Sequence, residues 1–304
     1  MITRREFSRI TLAGIAGSFA ARRALAAEVS GVRLGVQTYS FRTTAKPGDP
    51  TAAQVLVDSM KACGVTECEL WSPQIEPPLP FGRGVQGTPE WTKAREELRQ
   101  FRVTKSLDHF KGIRKHFGDA GITIRAFNYS FNESFSDDEI SRGFEIAKAL
   151  GAEFITASAT LAAAKKVAPF ADKHKMVVAM HNHANLTDPN EFATPESFAS
   201  AMKLSKFFKI NLDIGHFTAA NFEAVPYLKQ HMADITNLHI KDRKKSQGDN
   251  MPFGQGDTPI REVLALLKEQ KSKIPAYIEY EYKSEKTPVE EVKACLDYAK
   301  KALA

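Results

Sequence analysis

Histidines, carboxylates and a lysine occur in short polar groups, each at the end of an apolar, β-rich run of the chain. These groups are Glu69-Leu70-Trp71, Asn128-Tyr129, His181-Asn182-His183, Asp213-Ile214-Gly215-His216, His239-Ile240-Lys241-Asp242 and Glu279-Tyr280-Glu281. A lone histidine at a strand end is more often a hydrogen-bonded structural residue than a ligand. Imidazoles and carboxylates on four consecutive strands, however, would repel or desolvate one another without a cation. The combination predicts a divalent metal ion with coordination sites left for substrate oxygens.

The elements that must position these groups alternate regularly from residue 32 onward. Eight β-rich runs are predicted strands, at 32–39, 65–71, 122–127, 152–157, 176–181, 208–213, 235–240 and 276–281. The segments between them carry apolar residues at the three- and four-residue spacing of helices, as at Ala53, Val57 and Met60. Eight strand–helix units in about 270 residues predict an α/β fold, a single-domain (β/α)₈ TIM barrel.

A TIM barrel carries its chemistry at the carboxyl ends of its strands, which is where the polar groups occur. Two long segments, 72–88 and 241–258, also follow strands, and we expect them to form loops or lids over the same face. No Gly-x-Gly-x-x-Gly follows the first strand, which counts against a dinucleotide-binding fold.

The net charge of +6 is concentrated at the start of the chain. Residues 1–26 hold five arginines and one glutamate, a net charge of +4, which leaves +2 for residues 27–304. A barrel this close to neutrality lacks the positive surface that nucleic-acid-binding proteins use, so we expect no nucleic-acid partner.

Residues 1–26 have the order of features of an export signal. The sequence TRREFSR at 3–9 precedes an apolar run at 10–21, and Ala24-Leu25-Ala26 forms a small-x-small cleavage site. The run is too short to span a bilayer, so we expect no stable membrane association. The segment resembles a twin-arginine signal, which implies that the folded barrel of residues 27–304 is exported by the twin-arginine machinery to the periplasm or another extracytoplasmic compartment.

Taken together, the motifs resemble those of the xylose isomerase-like TIM-barrel superfamily, and in particular its sugar phosphate isomerase/epimerase group. The likeness runs from about Arg33 to the end and is carried by HNH at 181–183, DIGH at 213–216, HIKDR at 239–243, GQGD at 254–257 and IEYE at 278–281. The resemblance implies four metal ligands: His181, Asp213, His239 and Glu279. The family usually has a glutamate where this chain has His181. A nitrogen ligand there shifts the expected ion from Mg²⁺ toward Mn²⁺, Zn²⁺, Fe²⁺ or Co²⁺.

The other polar residues at the strand ends are expected to serve the substrate. Glu279, Glu69 or His183 would transfer the proton, and Lys241 would stabilise a developing oxyanion. Substrate contacts are expected from the remaining side chains: Trp71, Asn128, His216, Arg243 and Glu281. For Trp71, which could stack on an apolar sugar face, ordinary packing at the barrel mouth is the alternative.

This chemistry predicts a metal-dependent isomerase or epimerase that acts on a non-phosphorylated ketose or keto-sugar through an enediolate. One alternative is a lyase or hydrolase that expels the β-substituent of a 3-keto-glycoside at the same metal site. Another is a non-catalytic periplasmic sugar-binding barrel. Abasic-site endonucleases share the barrel, but their pattern is a three-metal site with extra histidines on strands two and three. This chain has Glu69 and Asn128 at those positions. The sequence does not indicate an oligomeric state.

Overall fold

The computed structural model describes residues 28–80, 82 and 84–304. Eight parallel strands, β1 to β8, run through this part of the chain: Val32–Gln37, Glu67–Trp71, Thr123–Asn128, Phe154–Ala157, Val178–His181, Phe208–Asp213, Ile235–Ile240 and Ala276–Ile278. Each strand pairs with the next, and β8 also pairs with β1, so the sheet closes on itself. The prediction of a single-domain (β/α)₈ barrel is confirmed.

Helices connect the strands around the outside of the barrel. In chain order α1 to α10 are Ala52–Cys63, Pro89–Thr104, Leu107–Asp119, Asp137–Leu150, Leu161–His174, Pro195–Met202, Ile214–Ala219, Ala224–His231, Ile260–Glu269 and Pro288–Leu303. The ends of α4 show why these segments are helical. Ser136 and Glu139 form a reciprocal capping box at its start, and Gly151 takes a positive φ of 77° at its end. No helix in the described part of the chain is long and apolar enough to cross a membrane. The expected export signal at 1–26 lies outside the described residues.

Several strands begin later than the sequence predicts. The runs predicted from 65, 152 and 176 start two residues further on, at Glu67, Phe154 and Val178. The physical reason is the same in each case: the backbone N–H of the first predicted residue closes the preceding helix. Val65 donates to Met60, and Ala152 and Met176 do the same for α4 and α5.

The barrel interior is polar at its amino end. Tyr277 on β8 donates to the buried carboxylate of Glu67 on β2 at 3.2 Å. Arg33 and Arg125 reach the same carboxylate at 2.5 and 3.2 Å. Gly35 gives the Tyr277 ring its space, because a Cβ there would lie 2.6 Å from that ring. Most apolar side chains instead pack between the sheet and the helices, so the interior is left for polar groups.

Candidate metal centre

The four residues predicted to bind a metal come together at the carboxyl ends of β5 to β8. His181, Asp213, His239 and Glu279 each offer one ligand atom, and these atoms lie within 4.8 Å of one another. All four side chains are buried. By hydrogen-bond geometry, His181 Nδ1, Asp213 Oδ2, His239 Nδ1 and Glu279 Oε2 have no partner among the described residues. They do have charged neighbours, because Lys241 Nζ lies near both oxygens and His239 Nδ1 lies 3.2 Å from Glu279 Oε2. Because buried polar atoms are normally hydrogen-bonded, two nitrogens and two oxygens that meet here without hydrogen bonds fit a divalent cation.

The side chain of Asp213 is oriented by a residue directly after β5 and by a residue of α7. Its Oδ1 accepts from the backbone N–H of His216 at 2.6 Å, which leaves Oδ2 facing the cluster. The side chain of Asn182 makes two hydrogen bonds to the Asp213 backbone. It accepts from the N–H at 2.9 Å and donates to the carbonyl at 3.1 Å. Asn182 therefore positions a ligand although it was not among the predicted site residues.

Glu69 lies beneath the ligand atoms, deeper in the barrel. It is fully buried, and its Oε2 accepts from His239 Nε2 at 2.9 Å. Four further donors complete its two oxygens: Gln37, Asn128, Thr156 and Asn237. A carboxylate in this position sets the histidine tautomer, so that Nδ1 of His239 is the nitrogen left to bind a metal. With both oxygens occupied by the protein, Glu69 suits the holding of His239 better than proton exchange with a substrate.

Asn128 lines the floor of the cavity above the centre, and its amide nitrogen is bound within the protein. It donates to Glu69 at 3.3 Å and to Thr156 at 3.1 Å. The predicted substrate contact of Asn128 would therefore be made by its amide oxygen, as an acceptor.

Lys241 brings a positive charge into the cluster. Its Nζ lies 3.1 Å from Asp213 Oδ2, 2.8 Å from Glu279 Oε2 and 2.6 Å from Glu281 Oε2. Burial opposes the charged amine, but these three carboxylates outweigh it and hold the pKa of Lys241 well above its ordinary value. The ammonium thus compensates the carboxylates, and a bound cation would compete with it for Asp213 and Glu279.

The protonation of the ligands depends on burial and on their partners. Burial, assisted by the neighbouring His239, holds the pKa of His181 well below its ordinary value, so this ligand is neutral. Burial raises the pKa of Asp213 to about 6, against the opposing effect of Lys241. Burial lowers the pKa of His239, but Glu69 and Glu279 outweigh it and raise the pKa well above the ordinary value. A metal ion must therefore displace protons from Asp213 and His239.

His183 and His216 flank the centre at the cavity wall. His183 is 42% exposed, and its Nδ1 pairs with Glu191 at 2.7 Å. His216 Nε2 lies 3.1 Å from Lys241 Nζ, and its Nδ1 lies 2.7 Å from Arg243. Arg243 is not among the described residues that line the cavity, so it supports His216 from behind, although the sequence predicted a direct substrate contact.

A hairpin after β7 holds Arg243 in place. Its two-residue strands are Asp242–Arg243 and Asn250–Met251. The Asp242 carboxylate accepts from three backbone N–H groups of the same segment, those of Gly254, Gly256 and Thr258, at 2.7 to 3.2 Å. The guanidinium of Arg243 donates to the Gly248 carbonyl. The carboxyl end of the predicted loop 241–258 is thus folded around the Asp242 carboxylate at the edge of the site, and Asp257 accepts from the backbone N–H of Lys245 in the same segment.

One cavity of about 420 Å³ opens above the centre. The predicted residues Trp71, His183, His216 and Glu281 line it, as do segment 72–88 and helix α2. Several other lining residues were not among the predicted site residues: Tyr39, Trp91, Arg95, Leu98 and Phe135. Tyr39 ends the predicted strand 32–39 but carries neither an imidazole nor a carboxylate, and the others lie on helix α2 or a loop, where the strand-end rule does not apply.

Comparison with known proteins places these features in context. The profile of a family described as xylose isomerase-like TIM barrel matches residues 83–302. The L-ribulose-5-phosphate 3-epimerase UlaE of Salmonella paratyphi C is 29% identical over 98 residues, 32% of this chain and 34% of the relative. The chain therefore spans about a third of the length of that curated relative.

Two solved structures share the fold. The 3-keto-D-glucoside 4-epimerase YcjR of E. coli is 12% identical with a TM-score of 0.60, covering 89% of this chain and 99% of its own. The IolI protein with a bound zinc atom is 14% identical with a TM-score of 0.61, covering 89% of this chain and 97% of its own. At these identities the likeness shows the fold alone.

Proposed function

This chain belongs to the xylose isomerase-like TIM-barrel family, and from that premise we propose that it is a metal-dependent isomerase or epimerase for a non-phosphorylated ketose or keto-sugar. The observation that carries the proposal is the meeting of four buried potential ligand atoms, none of which makes a hydrogen bond to a described residue, at the ends of β5 to β8. His181, Asp213, His239 and Glu279 would hold Mn²⁺, Zn²⁺, Co²⁺, Fe²⁺ or Mg²⁺. Such an ion polarises a sugar carbonyl and so acidifies the neighbouring C–H bond.

The chain's own residues supply the proton transfers. His183 lines the cavity, and its Nδ1 is hydrogen-bonded to Glu191, which leaves Nε2 without that partner. This is the arrangement of an oriented general base. Glu279 is the second candidate for this role. Lys241 would donate to the oxygen on which negative charge develops, and Glu281 holds that ammonium in place at 2.6 Å. Return of the proton to the adjacent carbon gives isomerisation, and its return to the opposite face gives epimerisation.

The charges around the cavity support a substrate without phosphate. Among the described lining residues the lysine and both arginines have carboxylate partners. Arg102 makes a bidentate pair of hydrogen bonds to Glu76 at 2.9 and 2.8 Å, and Arg95 pairs with Glu139 at 2.8 Å. A phosphate group would need to break one of these pairs to find a cation. The expected export of the protein agrees with this choice, because phosphorylated sugars are cytoplasmic metabolites.

Deuterium exchange tests the proposal. The purified protein is loaded with Mn²⁺ and incubated in D₂O with keto-sugars, and the products are followed by NMR. We expect deuterium at the α-carbon with the carbon skeleton retained. His239→Ala should lose this exchange, and His116→Ala, a histidine on the outer helix α3, should keep it. Stoichiometric metal without exchange of any keto-sugar would overturn the proposal.

A second candidate is β-elimination from a 3-keto-glycoside. His181 favours it, because a histidine replaces one of the two carboxylates that family epimerases use as paired bases. Release of an aglycone in the same assay would establish this alternative. A non-catalytic sugar-binding barrel is distinguished by metal analysis, since such a protein would bind sugar in its metal-free form.

A further inference from the structure

The cavity above the metal centre has two chemically different ends. At one end lie histidines, Lys241, Glu279 and Glu281, which suit the hydroxyl and carbonyl groups of a sugar. The other end lies between segment 72–88 and helix α2 and is lined by Trp71, Trp91 and other apolar side chains. A monosaccharide seated at the centre presents no apolar group to that second compartment.

The apolar compartment is built from rigid rings and aliphatic side chains. Trp71 packs edge to face against Tyr39, with ring centroids 4.7 Å apart. Trp91 stands in the first turn of α2, and Leu98 is further along the same helix. Pro77 belongs to the segment opposite. Aromatic surfaces held in this way favour planar apolar groups and need no hydrogen bonds from them.

Charges at this end are already neutralised within the protein. Arg95 and Arg102 lie over the ring of Phe135 at 5.0 and 4.8 Å, and their guanidinium groups pair with Glu139 and Glu76. Among the described residues, both arginines at this end are therefore charge-paired with carboxylates, although Nη1 of Arg95 makes no hydrogen bond. The prolines, the leucine and the rings offer no hydrogen bonds to the hydroxyls of a second sugar unit, so only the few polar lining residues, Gln86, Asn132 and Ser134 among them, could serve it.

We propose that this compartment binds an aromatic aglycone, so that the substrate is a keto-glycoside whose sugar ring lies at the metal centre. This inference rests on the proposed function and names the substrate class for that same site. A volume of about 420 Å³ falls within the range of cavities that enclose ligands of drug size, larger than a single sugar ring requires.

Tryptophan fluorescence gives a direct readout, because Trp71 and Trp91 are the only two tryptophans in the chain. The metal-loaded protein is titrated with the phenyl and methyl 3-keto-β-D-glucosides and with 3-keto-cellobiose. We expect the phenyl glucoside to quench the fluorescence and to bind about ten-fold more tightly than the methyl glucoside, since burial of the ring is favourable. Inorganic phosphate should not compete.

Variants assign the preference to this compartment. Trp91→Ala should bring the ratio of phenyl to methyl affinity close to one, and Trp91→Phe, which keeps an aromatic ring, should retain most of it. Lys93→Ala is the matched control, because Lys93 lies on the same helix with 81% of its side chain exposed. Its ratio should equal that of the unaltered protein.

The outcomes separate this inference from the proposed function. Equal binding of the phenyl and methyl glucosides, or tighter binding of 3-keto-cellobiose than of the phenyl glucoside, would overturn the aromatic aglycone, whereas deuterium exchange on free keto-sugars could still succeed. A Trp91-dependent phenyl preference without exchange or aglycone release would keep the compartment and refute the catalytic proposal.

Discussion

Two of the four candidate metal ligands are held by a hydrogen bond on the far side of their own side chain. His239 is held through Nε2 by Glu69, and Asp213 is held through Oδ1 by the His216 backbone. These bonds decide which atom faces the ion, and they restrict the side chains before any ion arrives. The affinity of the centre should therefore depend on residues that never touch the metal.

Replacing Glu69 by glutamine tests this dependence. The amide would turn a donor toward at least one of the five donors that now point at the carboxylate, and His239 would lose its anionic partner. We expect metal affinity to fall by about 10- to 100-fold, measured by calorimetric titration, with the circular dichroism spectrum unchanged.

Glu67→Gln is the matched control for Glu69→Gln. It alters a buried carboxylate on the same strand but at the amino end of the barrel, where Arg33 and Arg125 bind it. We expect a lower Tm with metal affinity within roughly two-fold of the unaltered protein, because the hydrogen-bond and ion-pair partners of Glu67 are Arg33, Arg125 and Tyr277 and none of them is a candidate metal ligand. An equal loss of affinity in both variants would contradict a specific role for Glu69.

Metal binding should weaken in acid. Asp213, with a pKa raised by burial to about 6, and His239, with a pKa raised by Glu69 and Glu279 against burial, must both lose protons to the ion. Below pH 6 affinity should fall by about ten-fold per pH unit for each proton displaced, as measured by calorimetry in buffers of different ionisation enthalpy. A constant affinity between pH 5 and 7 would contradict these shifts.

The metal-free protein should show the opposite trend in stability. The Asp213 carboxyl titrates near 3.8 when unfolded and near 6 when folded, so between these values the folded state binds more protons. The contribution of this group to the free energy of unfolding is therefore present at low pH and lost as pH rises through about 6. Urea unfolding at several pH values, with and without metal, measures it.

Side-chain types at strand ends, together with the family resemblance, predicted the four candidate ligands that the structure brings together, but not the depth of Glu69. Glu69 and Trp71 lie two residues apart on β2, yet Glu69 sits below His239 whereas Trp71 lines the cavity. The alternation of side chains along a strand shows which residues share a face of the sheet. It does not show how far one strand is shifted along the barrel axis relative to a distant strand. The stagger of β2 against β7 is a property of the closed barrel, so it could not be taken from the sequence.

At the scale of the secondary-structure elements, the hairpin after β7 connects segment 241–258 to the candidate metal centre. Three backbone N–H groups converge on Asp242, and the adjacent Arg243 contacts His216. A shift of this segment would therefore move a cavity-lining imidazole without touching a metal ligand. The sequence predicted a loop or lid at 241–258 but could not show that Asp242 binds three of its backbone N–H groups, because such hydrogen bonds do not depend on the donors' side chains.

Gly256→Ala should disturb this segment selectively. A Cβ at this position would lie 1.9 Å from Asp242 Oδ1 and 2.9 Å from the Arg243 carbonyl, and the carboxylate cannot retreat without losing its backbone donors. We expect kcat/KM to fall by about 10- to 100-fold, as misplacement of active-site groups commonly does, with little change in Tm.

Gly112→Ala provides the comparison for Gly256→Ala. Gly112 lies within α3 and has open space where its Cβ would be. We expect stabilisation of about 0.5–1 kcal/mol by thermal unfolding and unaltered kinetics. Unaltered kinetics in Gly256→Ala as well would mean that the hairpin does not govern His216.

Strand order and barrel closure followed from the sequence because they rest on repetition. Eight apolar runs separated by helical spacing have few other closed arrangements, and the structure contains all eight. The strand starts were less accurate, since a residue such as Val65 has strand character while its N–H completes the preceding helix. A hydropathy pattern depends on the side chains and does not show which hydrogen bond a backbone N–H makes.

For the molecule as a whole, the order of paired arginines, apolar run and small-x-small site within residues 1–26 predicts an exported protein. Replacing both Arg4 and Arg5 by lysine should abolish export through the twin-arginine route, which depends on that pair. Cell fractionation with an antibody to the barrel measures the distribution. Replacing Arg22 and Arg23 instead keeps the pair intact and should leave export unaltered; equal distributions for both variants would exclude the twin-arginine assignment.

The depth of the ligand cluster has a consequence for the order in which the proposed ion and sugar would bind. His181, Asp213, His239 and Glu279 have at most 7% of their surface accessible and lie at the floor of the cavity, beneath the space that a sugar would fill. A sugar in the cavity would cover an ion held by these residues, so we expect the ion to bind first and to remain through many turnovers. Chelators should inactivate the resting protein quickly and the protein saturated with sugar slowly.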